Sequence, residues 1–327
     1  MHTPAKRILA HHQKTLLGCL KLKRLQSRAL GIAKPFYVYE PPNFNGSESL
    51  PVLYLFRGHE REWVNLREDQ SRIKSTAIED IDHLICDGIL PQLLIVLPGL
   101  NSYNNWIPSL GIDMAGHWER KFRGLGTGRF WTYFTEELIP FIEHSYPQTQ
   151  AGAKMMAGFS LGGYTVSLLS AKLPGYFDHA AIYDGTFMWP NHSDPRIGRQ
   201  RCNDRIWCNS PLFDAALGRP RDKAALHEWN ATSIIQNANA GLLKKLRKTT
   251  FWVASAAKDG GFGNRDRAHE FAKILHEHDM MNGFKNIIFD TDAAHTWHWV
   301  DRFLVTFLML ALMEEAREIV AWTEYGD

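Results

Sequence analysis

Short apolar runs alternate with longer amphipathic segments along most of the chain. The apolar runs are rich in β-branched and aromatic residues and predict strands, whereas the segments between them have helical spacing. Strands that are apolar throughout indicate a mostly parallel sheet with helices on both faces, so the predicted fold class is α/β. The predicted strands are residues 36–39, 52–56, 93–97, 154–158, 179–183, 250–254 and 286–289, and the predicted helices are residues 75–86, 131–144, 161–173, 265–278 and 296–317.

Two stretches interrupt this alternation. Residues 187–248 are rich in Asn, Arg, Pro and Trp, and an insertion after a strand is expected to overhang the site as a lid or pocket wall. A plain surface excursion is the alternative. Residues 1–26 combine basic residues with leucines and predict a leader, or a helix packed on a single domain of residues 27–327. A membrane-surface arm is the alternative for this segment.

The composition excludes several classes of protein. The 327 residues carry a net charge of +2, which argues against a nucleic-acid partner. No apolar stretch is long and uncharged enough for an integral membrane segment, and the start does not resemble a secretory signal. Four cysteines in a chain of this length form no disulfide framework, and no Cys/His spacing resembles a zinc site. We therefore expect a cytoplasmic protein with neither a metal nor another cofactor; the sequence leaves open whether it forms a homo-oligomer.

The motif Gly158-Phe159-Ser160-Leu161-Gly162-Gly163 lies between a predicted strand and a predicted helix. A serine on such a turn has a strained backbone and an exposed hydroxyl, and small neighbours let the turn close. The following helix directs backbone N–H groups and a partial positive charge to the same place. We therefore predict Ser160 as a nucleophile and the Leu161 N–H as an oxyanion donor. An incidental Gly/Ser turn is the alternative interpretation.

A serine hydroxyl needs a neighbouring base, and on this turn the partners follow in the chain order Ser, Asp or Glu, His. His295 follows the last predicted strand and is the predicted base, whereas His298 falls one turn into the next helix. Asp259 follows the preceding strand and is the predicted acid. Asp266 lies inside a helical pattern. Asp292 is close to the histidine in the chain and remains a weaker rival.

A second oxyanion donor is expected from the loop after the strand at residues 52–56. Gly58 makes a turn there, and the backbone N–H of His59 is the predicted donor, with Glu60 as the alternative. The alternative interpretation is a turn that only ends the strand, because no side chain in this loop is specific for an oxyanion donor.

Several of these motifs together resemble those of a known family. They are spread over residues 27–307. They include the strand before Gly58, the strand-to-helix turn (elbow) around Ser160 with its second glycine and Tyr164, and the segment His295-Thr296-Trp297. The chain is similar in these motifs to the "putative esterase" family, the esterase D and enterochelin-esterase-like α/β-hydrolases. The resemblance implies an α/β-hydrolase fold without a metal, a triad at Ser160, Asp259 and His295, and backbone donors at His59 and Leu161.

Three positions depart from the pattern of this family. Arg57 stands where a histidine commonly precedes the glycine, Asp184-Gly185 replaces Ser-Gly, and Ala293-Ala294 replaces glycines before the histidine. None of these departures removes a catalytic group. Arg57 and Asp184 are interpreted as residues that tune the pocket. For Arg57, pairing with a carboxylate is favoured over attraction of an acidic substrate.

These residues predict a serine esterase that hydrolyses a small-molecule carboxylic ester or thioester through an acyl-enzyme intermediate. The same intermediate would serve an acyltransferase, because the acceptor depends on pocket shape and water exclusion. A non-catalytic binding protein on a hydrolase fold is disfavoured by the complete set of serine, acid and histidine. Aromatic side chains near the site predict an apolar or aromatic pocket, or belong to the core: Trp63, Trp106, Trp189 and Trp297.

Overall fold

A seven-stranded sheet forms the centre of the molecule. The computed structural model describes residues 3–44, 49–191, 207, 211–221, 223–258, 263–280 and 287–312. The strands run in the order β1-β2-β4-β3-β5-β6-β7 across the sheet. Their bounds are Cys19–Ser27 for β1, Ile32–Glu40 for β2, Val52–Phe56 for β3, Leu94–Pro98 for β4, Lys154–Phe159 for β5, His179–Tyr183 for β6 and Thr250–Ala254 for β7.

The sheet is parallel from β4 to β7 and antiparallel at the β1–β2 end. The register pairs Phe159 of β5 with Tyr183 of β6, and Tyr183 with Ala254 of β7. The carboxyl ends of these strands therefore meet at one edge of the sheet, where α/β proteins usually place their sites. The predicted α/β class with a mostly parallel sheet is confirmed.

Helices cover both faces of the sheet because its central strands are buried throughout. Helices α1, α2 and α11 contribute to the core on one face, and α4, α5, α8 and α10 contribute to the core on the other. The bounds are Thr3–Thr15 (α1), Ala77–Cys86 (α2), Phe130–Thr132 (α3), Ile139–Ser145 (α4), Leu161–Lys172 (α5), Asp214–Leu217 (α6), Lys223–Glu228 (α7), Ala231–Gln236 (α8), Ala240–Leu246 (α9), Asn264–Glu277 (α10) and Trp297–Leu312 (α11).

Local signals explain where several helices begin. Thr76 and Glu79 form a capping box at the start of α2, with the Thr76 N–H donating to Glu79 Oε2 at 2.8 Å. The predicted helix at 131–144 forms as α3, a π-helical segment at Tyr133–Leu138, and α4. The predicted strand at 286–289 is reduced, within the described residues, to a bridge between Ile288 and Ser255.

The N-terminal segment is part of the sheet, which corrects the predicted boundary between residues 26 and 27. Helix α1 does form, but β1 pairs with β2 along its whole length, from Cys19 opposite Glu40 to Ser27 opposite Ile32. The alternation Leu20-Lys21-Leu22-Lys23 is typical of a strand with one buried face, and Leu20 is buried whereas Lys21 is exposed. The basic residues of this stretch therefore lie on an edge strand.

The described parts of the insertion at 187–248 pack against α5. The Tyr164 hydroxyl donates to the Trp229 carbonyl at 2.6 Å, and the rings of Tyr164 and Trp207 are 4.9 Å apart. Trp207 also donates from its indole nitrogen to the Phe187 carbonyl at 3.1 Å. The tryptophans of the insertion therefore bury their apolar area in the core.

A buried ion pair fixes the start of α11 to the loop after β3. Arg72 Nε and one terminal nitrogen donate to the two carboxylate oxygens of Asp301 at 2.6 and 2.8 Å. The Arg72 guanidinium also lies 4.2 Å from the centre of the Trp297 ring. Within the ranges given above, none of the helices is long and apolar enough to cross a membrane.

Candidate active site

Ser160 occupies a strained turn between β5 and α5. Its backbone has φ 55° and ψ −116°, a conformation that costs an ordinary residue energy and that concentrates at functional sites. The Ser160 N–H donates to the Tyr183 carbonyl at 3.2 Å, and its carbonyl accepts from the Thr186 N–H at 3.0 Å. These bonds from the neighbouring strand β6 hold the turn in place. The strand-to-helix elbow predicted around Ser160 is present.

The glycines of the motif allow close approach of the backbone. A Cβ atom on Gly162 would lie 2.0 Å from the Phe56 carbonyl oxygen, and one on Gly158 would lie 2.3 Å from the Gly162 carbonyl oxygen. Both distances are far below any real contact, so no side chain fits at either position. The first turn of α5 consequently packs directly on the end of β3, and the loop after β3 lies beside Ser160.

His295 is held by the carboxylate of Asp184. His295 Nδ1 and Asp184 Oδ2 are 2.5 Å apart, and Asp184 is the residue that directly follows β6. Because Phe159 pairs with Tyr183, the residues that follow them, Ser160 and Asp184, emerge side by side at the same edge. A carboxylate on Nδ1 favours the tautomer in which Nε2 carries the lone pair that accepts a proton.

Asp184 has the surroundings of a permanently ionised carboxylate. Its Oδ1 accepts from the Ser255 hydroxyl at 2.9 Å and from the Ala256 N–H at 3.2 Å. Burial by itself raises the pKa of this carboxyl, but the hydrogen bonds from His295, Ser255 and Ala256 outweigh burial and lower the pKa below its usual value. Asn264 Nδ2 donates to the Asp184 carbonyl at 3.1 Å and so fixes the backbone of the same residue.

Aromatic contacts position the imidazole of His295. Its ring centre lies 4.5 Å from that of Phe159, the residue before the serine. The Tyr183 hydroxyl donates to the Ala294 carbonyl at 2.9 Å and thereby ties the histidine loop to β6. Phe159 in turn contacts Trp297 edge to face at 5.2 Å. Neighbours of Ser160 and Asp184 along β5 and β6 therefore also support the imidazole.

The acid predicted from the sequence, Asp259, lies outside the described residues. Asp184, which the family pattern indicates only as a residue that tunes the pocket, instead contacts His295, and the sequence did not predict this contact. A buried strand that ends in an acidic residue was the available signal. Of the rivals, Asp292 bonds Lys258 at 3.0 Å on the surface, and Asp266 lies in the first turn of α10.

The two predicted oxyanion donors differ in their surroundings. The Leu161 N–H begins α5, where the first N–H groups have no acceptor within the helix. The His59 N–H instead donates to the buried Glu62 carboxylate at 2.7 Å. A donor already bonded to a buried carboxylate is not free to bind an oxyanion, so this contact argues against the prediction for His59. Glu60, the alternative, follows His59 and its side chain is also buried.

Arg57 is the first residue of the loop after β3. Its guanidinium is 5.3 Å from the centre of the Phe159 ring. Burial raises the pKa of the Glu62 carboxyl, and the positive charge of Arg57 opposes that increase. Arg57 therefore acts on the charge of Glu62, whereas its Nε has no hydrogen-bond partner in the described part of the chain, so the carboxylate pairing favoured from the sequence stays a prediction.

The predicted tryptophan pocket is wrong for three of its four members. Trp63 and Trp297 are 1% and 4% exposed and contact each other edge to face at 5.1 Å, so they belong to the core. Trp189 is also buried, at 1% exposed. Trp106 is 70% exposed and tilts towards Phe122 at 6.5 Å. A large aromatic residue has the same sequence signature in a core as in a pocket.

Metal ligands gather at one place in the described part of the chain. His11, His12 and Glu79 bring three candidate atoms within 4.8 Å of one another where α1 meets α2. Glu79 there accepts from His11 at 2.9 Å and caps α2, so ordinary hydrogen bonds account for its position. None of the contacts of Ser160, Asp184 or His295 involves this group.

The sequence is similar to a known protein family and to a curated protein. The sequence profile of the family described as "Putative esterase" matches residues 27–304. Endo-1,4-beta-xylanase Y of Acetivibrio thermocellus is 20% identical over 286 residues, which are 83% of this chain and 21% of that protein. The chain therefore spans about a fifth of the length of this curated relative.

Solved structures share the fold at low sequence identity. A ferulic acid esterase is 19% identical with a TM-score of 0.65, over 91% of this chain and 98% of that one. An S-formylglutathione hydrolase from Agrobacterium tumefaciens is 18% identical with a TM-score of 0.60, over 91% and 96% of the two chains. The enterobactin esterase of Shigella flexneri has a TM-score of 0.53 at 13% identity, over 89% of this chain and 57% of that one. With the family match over residues 27–304, the chain belongs to the "Putative esterase" family and has the α/β-hydrolase fold of these solved structures.

Proposed function

We propose that the protein hydrolyses its ester or thioester substrate through an acyl-enzyme intermediate on Ser160. His295 serves as general base and then general acid, and Asp184 orients the imidazole. The observation that carries this proposal is the 2.5 Å contact between His295 and Asp184, at the edge where the strained Ser160 turn emerges. Asp184 takes the role that the sequence analysis assigned to Asp259.

The order of proton transfers follows from the hydrogen bonds. With Nδ1 bonded to Asp184, the neutral imidazole of His295 has its lone pair on Nε2. Nε2 takes the proton of the Ser160 hydroxyl as the oxygen attacks the carbonyl carbon, and it returns the proton to the leaving group. The same nitrogen then activates a water molecule that attacks the acyl-enzyme. The ionised Asp184 stabilises the imidazolium formed in each half-reaction.

The developing oxyanion is bound by backbone rather than by side chains. The Leu161 N–H is adjacent to the nucleophile, and the 12-residue helix α5 directs its positive end to the same place. The second donor comes from the loop after β3, which Gly162 allows to pack against the start of α5. Within that loop, the contact between the His59 N–H and Glu62 would have to break before His59 could contribute.

Labelling and turnover test the proposal together. The wild-type protein is expected to react with a fluorophosphonate probe and to hydrolyse short-chain p-nitrophenyl esters, and Ser160→Ala is expected to lose both. The names of the structural relatives make a feruloyl ester and S-formylglutathione sensible members of the substrate panel. An unlabelled wild-type protein that turns over no ester would overturn the proposal and favour a binding protein. Labelling that persists in Ser160→Ala would place the nucleophile elsewhere.

A further inference from the structure

A cavity of about 580 Å³ lies beside the loop after β3, on the face of the sheet that α1 covers. Leu22 and Arg24 of β1 line it together with Pro35 and Tyr37 of β2, and the register pairs Leu22 with Tyr37 and Arg24 with Pro35. Pro4 of α1 closes one side. Ser160 and His295 do not line this cavity, so it is separate from the proposed catalytic groups.

Positive side chains converge on this cavity. Arg24, Arg61 and Arg123 line it, and within the part of the chain that the structure describes no carboxylate lies within ion-pair distance of any of them. Lys121 also lines the cavity but is paired with Glu119 at 2.9 Å. Arginines from three separate segments therefore line the cavity without an ion pair within the described residues, and the carboxyl group of Glu60 lines it with them.

Tyr103 shows that two of these arginines act on one point. Burial raises the pKa of its hydroxyl, and the charges of both Arg24 and Arg123 oppose the increase. The hydroxyl donates to the Ala33 carbonyl at 2.9 Å, which fixes the ring in the cavity wall. The cavity therefore combines apolar and aromatic surface with convergent guanidinium groups.

The acidic residue in the wall, Glu60, offsets the charge of these arginines only in part, because burial favours its protonated form and raises its pKa while the charges of Lys34 and Arg61 oppose that increase. Burial lowers the pKa of the His59 imidazole to about 3, with the charges of Arg61 and Lys34 adding to the effect, so the ring is neutral. Its Nε2 donates to the Tyr103 carbonyl at 3.1 Å, which leaves Nδ1 as an acceptor 3.1 Å from Glu60 Oε2. A protonated Glu60 carboxyl can donate to that nitrogen.

The pKa of Glu60 agrees with this arrangement. Burial raises it, and the fully buried Lys34 ammonium opposes the increase. The Lys34 ammonium donates to the carbonyl oxygens of Asn101 and Gly124 at 2.5 and 2.8 Å, so backbone oxygens satisfy it inside the wall. The charge that faces the cavity therefore belongs mainly to the arginines.

We propose that this cavity is a binding site for a small organic oxyanion, whose phosphate or carboxylate group lies among Arg24, Arg61 and Arg123. Guanidinium groups bind both anions through paired hydrogen bonds, and partial enclosure strengthens these bonds relative to open solvent. The apolar part of the ligand packs on Leu22 and Tyr37. This site extends beyond the proposed esterase activity, because it needs neither Ser160 nor His295.

Direct binding tests this site independently of catalysis. Benzoate and phenyl phosphate serve as probes in calorimetric titrations, with benzamide as the uncharged control, on the full chain and on Ser160→Ala. At least one anionic probe is expected to bind both proteins saturably, more weakly at high salt, and benzamide is expected to bind far less. Arg24→Gln and Arg123→Gln change exposed side chains and are each expected to weaken binding about tenfold.

The matched control is Lys74→Gln, which removes an exposed cation that does not line the cavity and should leave binding unchanged. Absence of saturable binding of either anion, or equal binding by wild type, Arg24→Gln and Arg123→Gln, would overturn the proposal. Binding lost only in Ser160→Ala would also overturn it, because that result would locate the anion at the catalytic serine. Circular dichroism confirms that each variant is folded.

Measurements of KM show whether the bound anion is part of the ester substrate or a separate ligand. If the anionic group belongs to the ester substrate, Arg24→Gln raises KM for an ester that carries a carboxylate and leaves KM for its neutral methyl ester unchanged. If the site holds a free ligand, both KM values stay the same while binding of the probe is weakened. Both results retain the site, and they separate a substrate subsite from an independent one.

Discussion

Replacing Asp184 by asparagine removes one charge and keeps the shape of the side chain. The structure specifies how the introduced amide would orient. Oδ1 of Asp184 accepts from the Ser255 hydroxyl and from the Ala256 N–H, and a backbone N–H cannot become an acceptor. The amide oxygen must therefore stay on that side. Its NH₂ group then faces His295 Nδ1, which has to become an acceptor.

The expected fall in kcat follows from this change of His295 Nδ1 from hydrogen-bond donor to acceptor. An imidazole that accepts at Nδ1 carries its proton on Nε2 and cannot remove the proton of the Ser160 hydroxyl. Wrong-tautomer substitutions of this kind lower kcat by about 10⁴, which corresponds to about 5.5 kcal/mol of transition-state stabilisation. KM should change little, because the carboxylate does not contact substrate in the proposed mechanism. Probe labelling should slow in parallel with kcat.

The assay compares three variants with the wild type on one p-nitrophenyl ester. Asp184→Asn should show the large loss in kcat, whereas Asp292→Asn, which changes an exposed carboxylate 75% accessible to solvent, should retain near wild-type turnover. Asp259→Asn tests the acid predicted from the sequence. Turnover by Asp184→Asn within about tenfold of wild type, together with a collapse in Asp259→Asn, would refute the assignment of Asp184.

Three further outcomes are expected. Gly162→Ala should abolish activity and lower thermal stability, because the new Cβ would lie 2.0 Å from the Phe56 carbonyl oxygen, and differential scanning fluorimetry with ester turnover measures both. Asp301→Asn should cost about 3–5 kcal/mol in chemical denaturation, because it leaves the buried Arg72 guanidinium without its charged partner. The pKa of Asp184 is lower in the folded state, so its ionised form stabilises the fold above the unfolded-state pKa, and this contribution is lost as pH falls through the folded-state pKa. The stability gap between wild type and Asp184→Asn should therefore stay constant from neutral pH to about pH 5 and narrow below it.

The first two of these outcomes have matched controls, and the third has a result that would contradict it. Gly241 lies near the start of α9, and a Cβ atom there would have Asn239 Oδ1 as its nearest neighbour, at 3.4 Å. Gly241→Ala should therefore leave the free energy of unfolding unchanged or raise it by up to about 1 kcal/mol. Glu277→Gln breaks an exposed pair with Lys273 at 3.7 Å and should cost less than about 0.5 kcal/mol. A loss as large as that of Asp301→Asn in this variant would contradict the distinction between buried and exposed pairs. A stability gap that widens below pH 5 would contradict the role assigned to the ionised carboxylate.

Three of the parallel strands could be predicted closely from the sequence because nearly all of their residues are buried. The predicted bounds of β3, β6 and β7 are confirmed, since continuous apolar runs mark them clearly. The elbow could also be predicted, because a serine among glycines between a strand and a helix is a local signal. The β1 strand was missed: its leucines also suit one face of a helix, and only the strict alternation near Leu20 distinguishes the two.

The third member of the proposed triad required information that one sequence does not hold. Asp184 and Asp259 both follow strands and both lie between Ser160 and His295, so chain order admits either. The choice depends on which strand end the histidine loop reaches in space. For the same reason, the burial of Trp63 in the core could not be predicted, since aromatic residues occur both in cores and in pockets.

The pairing of Phe159 with Tyr183 sets the distance between the proposed nucleophile Ser160 and the proposed acid Asp184. Adjacent strands are about 4.8 Å apart, so hydroxyl and carboxylate are spaced by hydrogen-bonded backbone rather than by flexible connections. A slip of one residue along β6 would displace the carboxylate by about 3.3 Å and reverse the side on which it projects. Insertions and substitutions in the surrounding loops can therefore diversify substrate choice while the distance between nucleophile and acid stays constant.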